Sequence, residues 1–342
     1  MDEFAHIPLR RVGPVRISGP ELDGEVMIPL ATLESPLWPS VARGARVTAR
    51  AGGIRAIVRD DRMARSVLLE ASDALEAVRA AAALEARRGE LAELVASTSR
   101  FAKFLDLHTQ VAGCLLFLRL EISTGDAAGH NMVTKAAQGM IEWAVRACPA
   151  LRAVSVSGNY CTDKKVSAVN GILGRGKCVL ADVLIPGALC RTQLKTTAAR
   201  IAELNVKKNL VGTMLAGGVR TANAHFANML LAFYLATGQD AANIVEGSQG
   251  LTYAEARGED LYFSVTLPNV IVGAVGAGKD REWARANLEA LGCLEPRAPG
   301  ANARRLAAIA AAAVLCGELS LMAALTVPGE LMRAHERLER KK

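Results

Sequence analysis

The sequence has few aromatic residues and lacks several features that would assign it to a class at once. Phe, Trp and Tyr make up only 4% of the 342 residues, so the core must be built mainly from Ala, Leu and Val. Basic residues are spread out and do not alternate with aromatic ones, which argues against a nucleic-acid partner. The formal net charge of +7 instead suits phosphorylated small molecules.

Cysteine pairs and membrane segments are also missing. The seven cysteines include no CxxC pair and no Cys/His cluster of the zinc type, so we expect reduced thiols and no metal. The N-terminal "MDEFAHIPLRR" has no apolar secretory segment. The longest apolar stretch, residues 306–316, is too short to cross a bilayer. We therefore expect a soluble cytoplasmic protein with a buried helix at this stretch.

Local patterns indicate a mixed α/β (α+β) fold. Alternation in "VRIS" and "EVMIPL" predicts short strands near the N-terminus, and "LLFLRLEIS" predicts another at 115–123. The segment "GDAAGHNMVTKAAQGMIEWAVRAC" predicts a turn followed by a helix, with Asp126 near the helix start. Further predictions are helices within 66–94 and at 192–209, 222–243 and 302–325, and two strands joined by "PN" within 260–278. Residues 66–155 read as a compact unit of their own.

The motif "SGNYCTDKK", residues 157–165, places an Asp and two Lys behind small polar residues. It is either a solvated turn or a set of donors for an anion, and residue chemistry leaves both open. "GILGRGKC" (171–178) fits GxxxxGK, but Cys178 stands where a phosphate loop needs Ser or Thr, so we expect no nucleotide there. "GAVGAG" (273–278) is a tight turn or a place where backbone approaches a ligand.

Three titratable residues have an ordinary structural interpretation when the sequence is read alone. His335 lies in the polar tail "MRAHERLERKK" and reads first as an exposed surface histidine. Glu34 follows a predicted strand among apolar neighbours, and it either faces solvent or lies in a pocket where a raised pKa suits proton donation. Asp240 reads as a helix-capping residue. Composition and spacing alone therefore predict no particular reaction.

Several motifs read together identify a family. "STSRFAK…LHTQVAG", "GDAAGHNM", "SGNYCTDKK", "KNLVGTMLAG", "NAHFAN", "GQDAANI" and "GELSLMAAL" follow one another along the chain. In this order they resemble the catalytic domain of class I 3-hydroxy-3-methylglutaryl-coenzyme A (HMG-CoA) reductases, in a divergent and N-terminally short form. The resemblance extends from about residue 25 to residue 335.

The resemblance implies both a fold and an activity. The fold would be a large mixed helical and sheet domain (1–65 and 156–342) that binds substrate and coenzyme A. A small ferredoxin-like α/β domain (66–155) that binds NADP would be inserted in it. The activity would be the four-electron reduction of HMG-CoA to mevalonate and coenzyme A, with two NADPH per turnover and no metal. The protein would form a homodimer or larger assembly with the active site at the subunit interface, and without nucleic acid or membrane partners.

Four residues match the family's catalytic positions. Lys164 would stabilise the oxyanion that forms at the thioester carbonyl. Glu34 would donate a proton to the aldehyde oxygen, and Asp240 would hydrogen-bond both residues and couple their titrations. His335 would protonate the leaving coenzyme A thiolate.

Binding roles follow from the same resemblance. Substrate contacts would come from Arg65, Ser157, Asp163, Lys165, Lys208 and Asn228. Coenzyme A contacts would come from Ser40, Arg43, His225 and Ser320. The dinucleotide would meet Ser99, Arg100, Asp126, Gly129, Asn131, Gly276 and Gly278. Ser99 and Arg100 would lie near the 2′-phosphate, where a guanidinium favours NADPH.

Three departures from the family keep alternatives open. The Glu-Asn-Val-Ile-Gly motif and the helices before it are replaced by "HIPLRRVGPVRISGP". The loop after Glu34, "ESPLWPSVARG", has bulky residues, and Ala42 stands where the family has an Asn that contacts coenzyme A. One extra residue lies near 328–329, and no Ser or Thr follows Thr326 as a phosphorylation site. The alternatives are a relative that reduces another acyl thioester and a non-catalytic acyl-coenzyme A-binding homologue.

Overall fold

The protein is described as a computed structural model that covers residue 3 and residues 5–339. Within these residues the strands are β1 (Leu9–Ser18), β2 (Gly24–Ala31), β3 (Ile54–Glu70), β4 (Lys103–Ala112), β5 (Leu115–Ser123), β6 (Arg152–Ser155), β7 (Gly176–Ile185), β8 (Leu251–Arg257) and β9 (Asp260–Val270). The first α-helices are α1 (Leu37–Arg50), α2 (Ala74–Glu85), α3 (Arg88–Thr98), α4 (His130–Ala147), α5 (Ala168–Leu173), α6 (Gly187–Thr192) and α7 (Ala198–Leu204). The others are α8 (Thr213–Leu215), α9 (Phe226–Ala236), α10 (Ile244–Gly247), α11 (Glu282–Ala290), α12 (Ala301–Leu325) and α13 (Glu330–Glu339). A π-helix, Asn205–Gly212, joins α7 to α8, and a short 3-10 turn, Ala241–Asn243, precedes α10.

Strand β3 connects the two halves of a mixed sheet. Its first part pairs antiparallel with β7 and parallel with β1, within the order β2-β1-β3-β7-β9-β8. Its second part pairs antiparallel with β5 and β6, and β5 pairs with β4. Helices pack against both halves, so the predicted mixed α/β class is confirmed.

Two hydrophobic cores lie beside the two halves of this sheet. The larger one surrounds α12 and includes side chains from β1, β2, β7, β9, α1 and α9. The smaller one consists of buried residues between 63 and 151, together with Ile271. The smaller core therefore falls largely within the segment predicted to be a separate unit, 66–155. Its ferredoxin-like description and its boundaries remain predictions.

Helix α12 is the centre of the larger core. Among the described residues it is the one helix long and apolar enough to cross a membrane, but 94% of its most apolar 18-residue stretch is buried in the protein. The predicted burial is confirmed, and the helix matches its predicted range of 302–325 to within one residue, but its apolar part is longer than the predicted 306–316. It continues past Glu318, since that buried carboxylate accepts hydrogen bonds from the Ala224 N–H (2.6 Å) and the Thr252 hydroxyl (2.7 Å).

Three other predicted elements need correction. Residues 66–70 belong to β3 rather than to a helix. Strand β9 continues through Pro268 as one strand. The β7–β9 register shifts at this point, so the N–H that proline lacks falls where the pairing is irregular. The helix predicted at 222–243 ends at Ala236, since Gly238 adopts a left-handed conformation (φ 66°) that stops it.

Candidate active site

The loop of residues 157–165 has an unusual backbone. Asn159, Thr162 and Lys164 all have positive φ values (60°, 38° and 56°), which cost side-chain-bearing residues energy. The Thr162 and Ser167 hydroxyls lie 2.5 Å apart, and the Asn170 amide donates to the Thr162 carbonyl at 3.1 Å. These contacts stabilise a conformation that a free chain would rarely adopt.

A buried ion pair supports this loop from below. Arg175 and Glu246 are both inaccessible to solvent, and their side chains are 2.8 Å apart. Glu246 also accepts from the Lys164 backbone N–H at 3.2 Å, and Arg175 lies 3.0 Å from the Asp163 carboxylate. Burial raises the pKa of Glu246 against the opposing effect of Arg175. Two adjacent loop residues, Asp163 and Lys164, are thus positioned by the same buried pair.

Lys164 forms an ion pair with Asp240, with 2.7 Å between Nζ and Oδ2. The hydrogen bond with Asp240 raises the pKa of Lys164, although burial opposes it. Burial alone would raise the pKa of Asp240, but the hydrogen bonds from Lys164 and the Ala242 N–H, together with the nearby Lys164 charge, outweigh it and the net change is downward. Lys164 therefore stays a cation, as required of a group that stabilises an oxyanion.

This ion pair faces a cavity of about 720 Å³, here called the lysine cleft. One wall forms where segment 127–132 meets segment 275–279. Gly273 allows this approach, since a Cβ there would lie 2.4 Å from the Ala128 nitrogen. The predicted site residues that line the lysine cleft are Arg65, Gly129, Asn131, Asp163, Lys164, Asp240, Gly276 and Gly278.

A second cavity of about 370 Å³, here called the glutamate cleft, contains a different set of predicted residues. They are Glu34, Ser40, Arg43, His225, Asn228 and Ser320. The Glu34 carboxylate accepts from the Asn228 amide at 2.7 Å. The predicted contact of Glu34 with Asp240 is not formed among the described residues, because the two line separate clefts.

Close packing of α1 on α12 builds the glutamate cleft. Gly44 permits it, since a Cβ there would lie only 2.0 Å from the Cys316 carbonyl oxygen. The Ser40 hydroxyl and the Arg43 Nε then both donate to the Ser320 hydroxyl at 3.0 Å. Arg43 Nη1 also lies 2.8 Å from Glu330 at the start of α13. Helix α13 thus covers one side of this cleft.

Six other predicted residues line neither cleft: Ser99, Arg100, Asp126, Ser157, Lys165 and Lys208. Asp126 lies in the turn just before α4, as predicted, and its carboxylate accepts from the Ala303 N–H (2.9 Å) in the first turn of α12. Lys208 lies on the π-helix and donates to the adjacent Asn209 side chain at 3.1 Å. His335 falls within α13, but its side chain lies outside the described residues.

Four residues near Lys164 were not among the predicted site residues. His130 and Lys279 line the lysine cleft, and Arg175 and Glu246 lie beneath it. His130 follows directly on the predicted glycine of "GDAAGHNM", and Lys279 follows "GAVGAG", so adjacency offered a signal for both. No local pattern marks the Arg175–Glu246 pair, because it joins residues 71 positions apart. In the described part of the chain, no cluster of three or more His, Cys, Asp or Glu residues is arranged to hold a metal ion.

Comparisons with known proteins bear on this arrangement. The family model described as hydroxymethylglutaryl-coenzyme A reductase matches residues 4–340. The 3-hydroxy-3-methylglutaryl-coenzyme A reductase of Aeropyrum pernix is 45% identical over 336 residues, which cover 98% of this chain and 79% of the relative. That of Pyrococcus abyssi is 43% identical over 339 residues, covering 98% and 82%. That of Methanothermobacter thermautotrophicus is 43% identical over 335 residues, covering 98% and 83%.

A solved structure has the same fold. It is a class II 3-hydroxy-3-methylglutaryl-CoA reductase from Streptococcus pneumoniae, bound to NADPH in open conformations. The TM-score is 0.77 over 95% of this chain and 86% of that one, with 21% identity. At this identity the likeness shows the shared fold alone.

Proposed function

This chain belongs to the hydroxymethylglutaryl-coenzyme A reductase family of oxidoreductases, and on that premise we propose that it reduces HMG-CoA to mevalonate with NADPH. The reaction consumes one thioester, two NADPH and two protons, and yields mevalonate, coenzyme A and two NADP⁺. The observation that carries the proposal is the Lys164–Asp240 ion pair facing a cavity of about 720 Å³.

The walls of the lysine cleft fit a dinucleotide. Gly276 has a positive φ of 100°, and a Cβ placed on it would have no heavy atom within 4 Å, so its backbone is open to a ligand. Lys279 and Arg65 add positive charge to the same cavity, which suits phosphate groups. When bound, the dinucleotide supplies the hydride for each reduction. Exposed Arg100 is proposed to pair with its 2′-phosphate.

Lys164 acts first in the proposed mechanism. Its cation stabilises the negative oxygen that develops as the thioester carbonyl becomes a hemithioacetal. Collapse of that intermediate breaks the C–S bond and yields the aldehyde and the coenzyme A thiolate. His335 protonates the thiolate, which prevents it from adding back to the aldehyde. In the second reduction Glu34 delivers the proton that completes the alcohol, while Asp240 keeps Lys164 oriented.

The separation of the two clefts supports an active site shared between two copies of the chain. Glu34 and the proposed coenzyme A residues line one cleft, whereas Lys164 and the proposed cofactor residues line the other. The segment of the π-helix and α8 exposes apolar side chains, namely Val206, Leu210, Val211, Met214 and Leu215. Buried in a homodimer or larger assembly, this surface would carry Lys208 toward a partner's substrate.

The remaining proposals concern organisation. Residues 66–155 form the inserted ferredoxin-like NADP domain, and the rest of the chain forms the substrate domain, in a soluble cytoplasmic enzyme. The divergent loop after Glu34 keeps its shape through buried Trp38, which donates to the Leu30 carbonyl at 2.9 Å and stacks against Arg10. Trp38 is therefore anchored away from the glutamate cleft, whereas Pro36, Leu37 and Pro39 of the same loop line it.

Steady-state oxidation of NADPH in the presence of HMG-CoA tests the function. We expect turnover by the wild-type protein and a loss of at least about 100-fold in kcat for Lys164→Ala, since electrostatic stabilisation of an oxyanion is worth that much. Lys103→Ala, an exposed lysine on β4, is the matched control and should keep wild-type activity. Wild-type protein that binds NADPH but never oxidises it with HMG-CoA would refute the proposal, and faster oxidation of NADH would refute the choice of cofactor.

A further inference from the structure

The base of the lysine cleft contains buried polar atoms that lack hydrogen-bond partners. Among the described residues that line the cavity, they are Arg65 Nε, His130 Nε2 and Asn243 Oδ1, and Asp163 Oδ1 has only its ion pair with Arg175. A buried polar atom without a partner costs roughly 1–3 kcal/mol, so proteins rarely leave several together. Polar atoms of this kind at the bottom of a cleft are available to the polar groups of a bound ligand.

His130 and Asp163 are placed to share one ligand atom. His130 is the first residue of α4, and its side chain is only 22% exposed. Its Nε2 lies 3.9 Å from Asp163 Oδ1, too far for a direct hydrogen bond. An oxygen at about 2.8 Å from each atom would close this gap. Arg175, 3.0 Å from the same Asp163 oxygen, fixes the carboxylate in place.

The hydrogen bonds that His130 and Asp163 can make limit which chemical group can supply that oxygen. Burial, and next the nearby Arg175 cation, lower the pKa of His130 to about 4. The imidazole is therefore neutral near pH 7, and it can offer one N–H. The Asp163 carboxylate, which pairs with Arg175, only accepts hydrogen bonds. With the imidazole proton on Nε2, an oxygen between them donates to the carboxylate and accepts from the imidazole, as an alcohol does.

We propose that His130 and Asp163 together recognise the 3-hydroxyl group of the acyl thioester, which makes His130 a specificity-determining residue. The hydroxyl donates to Asp163 Oδ1 and accepts from Nε2–H of His130. This inference rests on the proposed function and adds a residue to it. A thioester with hydrogen in place of the hydroxyl leaves His130 Nε2 without a hydrogen-bond partner and Asp163 Oδ1 with Arg175 alone, so the site rejects it.

Comparison of two thioesters with three proteins tests the assignment. HMG-CoA and 3-methylglutaryl-CoA differ only in the hydroxyl, and both are titrated calorimetrically into wild type, His130→Leu and His130→Gln. We expect wild type to prefer the hydroxylated thioester by about 10- to 100-fold. His130→Leu removes the donor, and its preference for the hydroxylated thioester should be about 10-fold smaller than that of wild type. Gln places an amide N–H near the Nε2 position and should restore most of it, which a merely structural role for His130 would not predict.

His108→Gln is the matched control, because this half-buried histidine on β4 also has an Nε2 without a hydrogen bond but lies outside both clefts. Its preference should equal that of wild type. If His130→Leu keeps the full preference, or if wild type has none, a water molecule or nothing bridges the two residues and the inference is wrong. Turnover is measured alongside: binding with preference but no NADPH oxidation refutes only the proposed reaction. Wild type that binds neither thioester refutes both.

Discussion

Lys164 and Asp240 form the ion pair at the centre of the candidate site. The solvent exposure of their side chains distinguishes a stabilising role from a functional one. Their side chains are 41% and 47% exposed, a range in which an ion pair adds about 0–1 kcal/mol to stability. Lys164 also adopts a costly positive φ. The protein thus holds a cation in a strained position for little gain in stability, which is the pattern expected at a functional residue.

His130 should make stability depend on pH in a defined window. Its folded-state pKa of about 4 lies below the ordinary value of 6.5, so between these values the unfolded chain binds more protons. The free energy of unfolding therefore falls as pH is lowered through this window. We expect His130 alone to remove about 2 kcal/mol between about pH 8 and pH 5.

Urea denaturation of wild type and His130→Gln at both pH values measures this effect. The variant should lose less stability on acidification, because Gln does not titrate, while Asp163, Asp240, Arg175 and Lys164 still face the position in both proteins. Equal losses would show that His130 is not buried as described.

Helix α13 is the element that links the proposed coenzyme A site to the C-terminal tail. Arg43, proposed to bind coenzyme A, lies 2.8 Å from Glu330 in the first turn of this helix. An incoming phosphate must compete with that carboxylate for the guanidinium. Glu330→Gln should therefore tighten binding of free coenzyme A by about 3- to 10-fold, the value of a partly exposed ion pair.

Calorimetric titration of coenzyme A measures this change. Glu336→Gln, which removes an exposed carboxylate from the same helix, is the control and should bind like wild type. Weaker binding by Glu330→Gln would show that Glu330 helps to hold the ligand instead of competing with it.

The elements also show what sequence can predict. Strand β5 and helix α4 match their predicted positions because alternation and helical spacing are local signals. Strand β3 continues through residue 70 because it pairs with β5. The Ala-rich segment after residue 70 has helical spacing, and this spacing leads to the prediction of a helix from residue 66. Pairing between distant segments determines where such a strand ends, and the local spacing of apolar residues contains no information about that pairing.

At the scale of the whole molecule, motif recognition names residues but does not say which ones meet. Glu34, Lys164 and Asp240 are all predicted by family motifs, and the chain brings the last two together at 2.7 Å. Glu34 pairs with Asn228 in another cleft. The buried Arg175–Glu246 pair beneath Lys164 is absent from the prediction, because it follows from packing of distant segments.

The two clefts give a direct test of whether the active site is shared between subunits. Glu34→Gln and Lys164→Ala should each abolish reduction of HMG-CoA. If each active site combines Glu34 of one chain with Lys164 of another, a mixed dimer of these variants contains one intact site. Random association of equal amounts should then restore about a quarter of wild-type activity.

The control mixes Lys164→Ala with Asp240→Asn. Both changes lie in the lysine cleft of the chain that carries them, so no mixed dimer has an intact pair and no activity should return. Co-expression with two affinity tags isolates the mixed species, and NADPH oxidation measures it. Recovery in the Glu34 mixture alone places the glutamate cleft of one subunit against the lysine cleft of another. Inactivity of both mixtures, in dimers shown to have formed, would place Glu34 and Lys164 of a single chain in the same active site and contradict the shared arrangement.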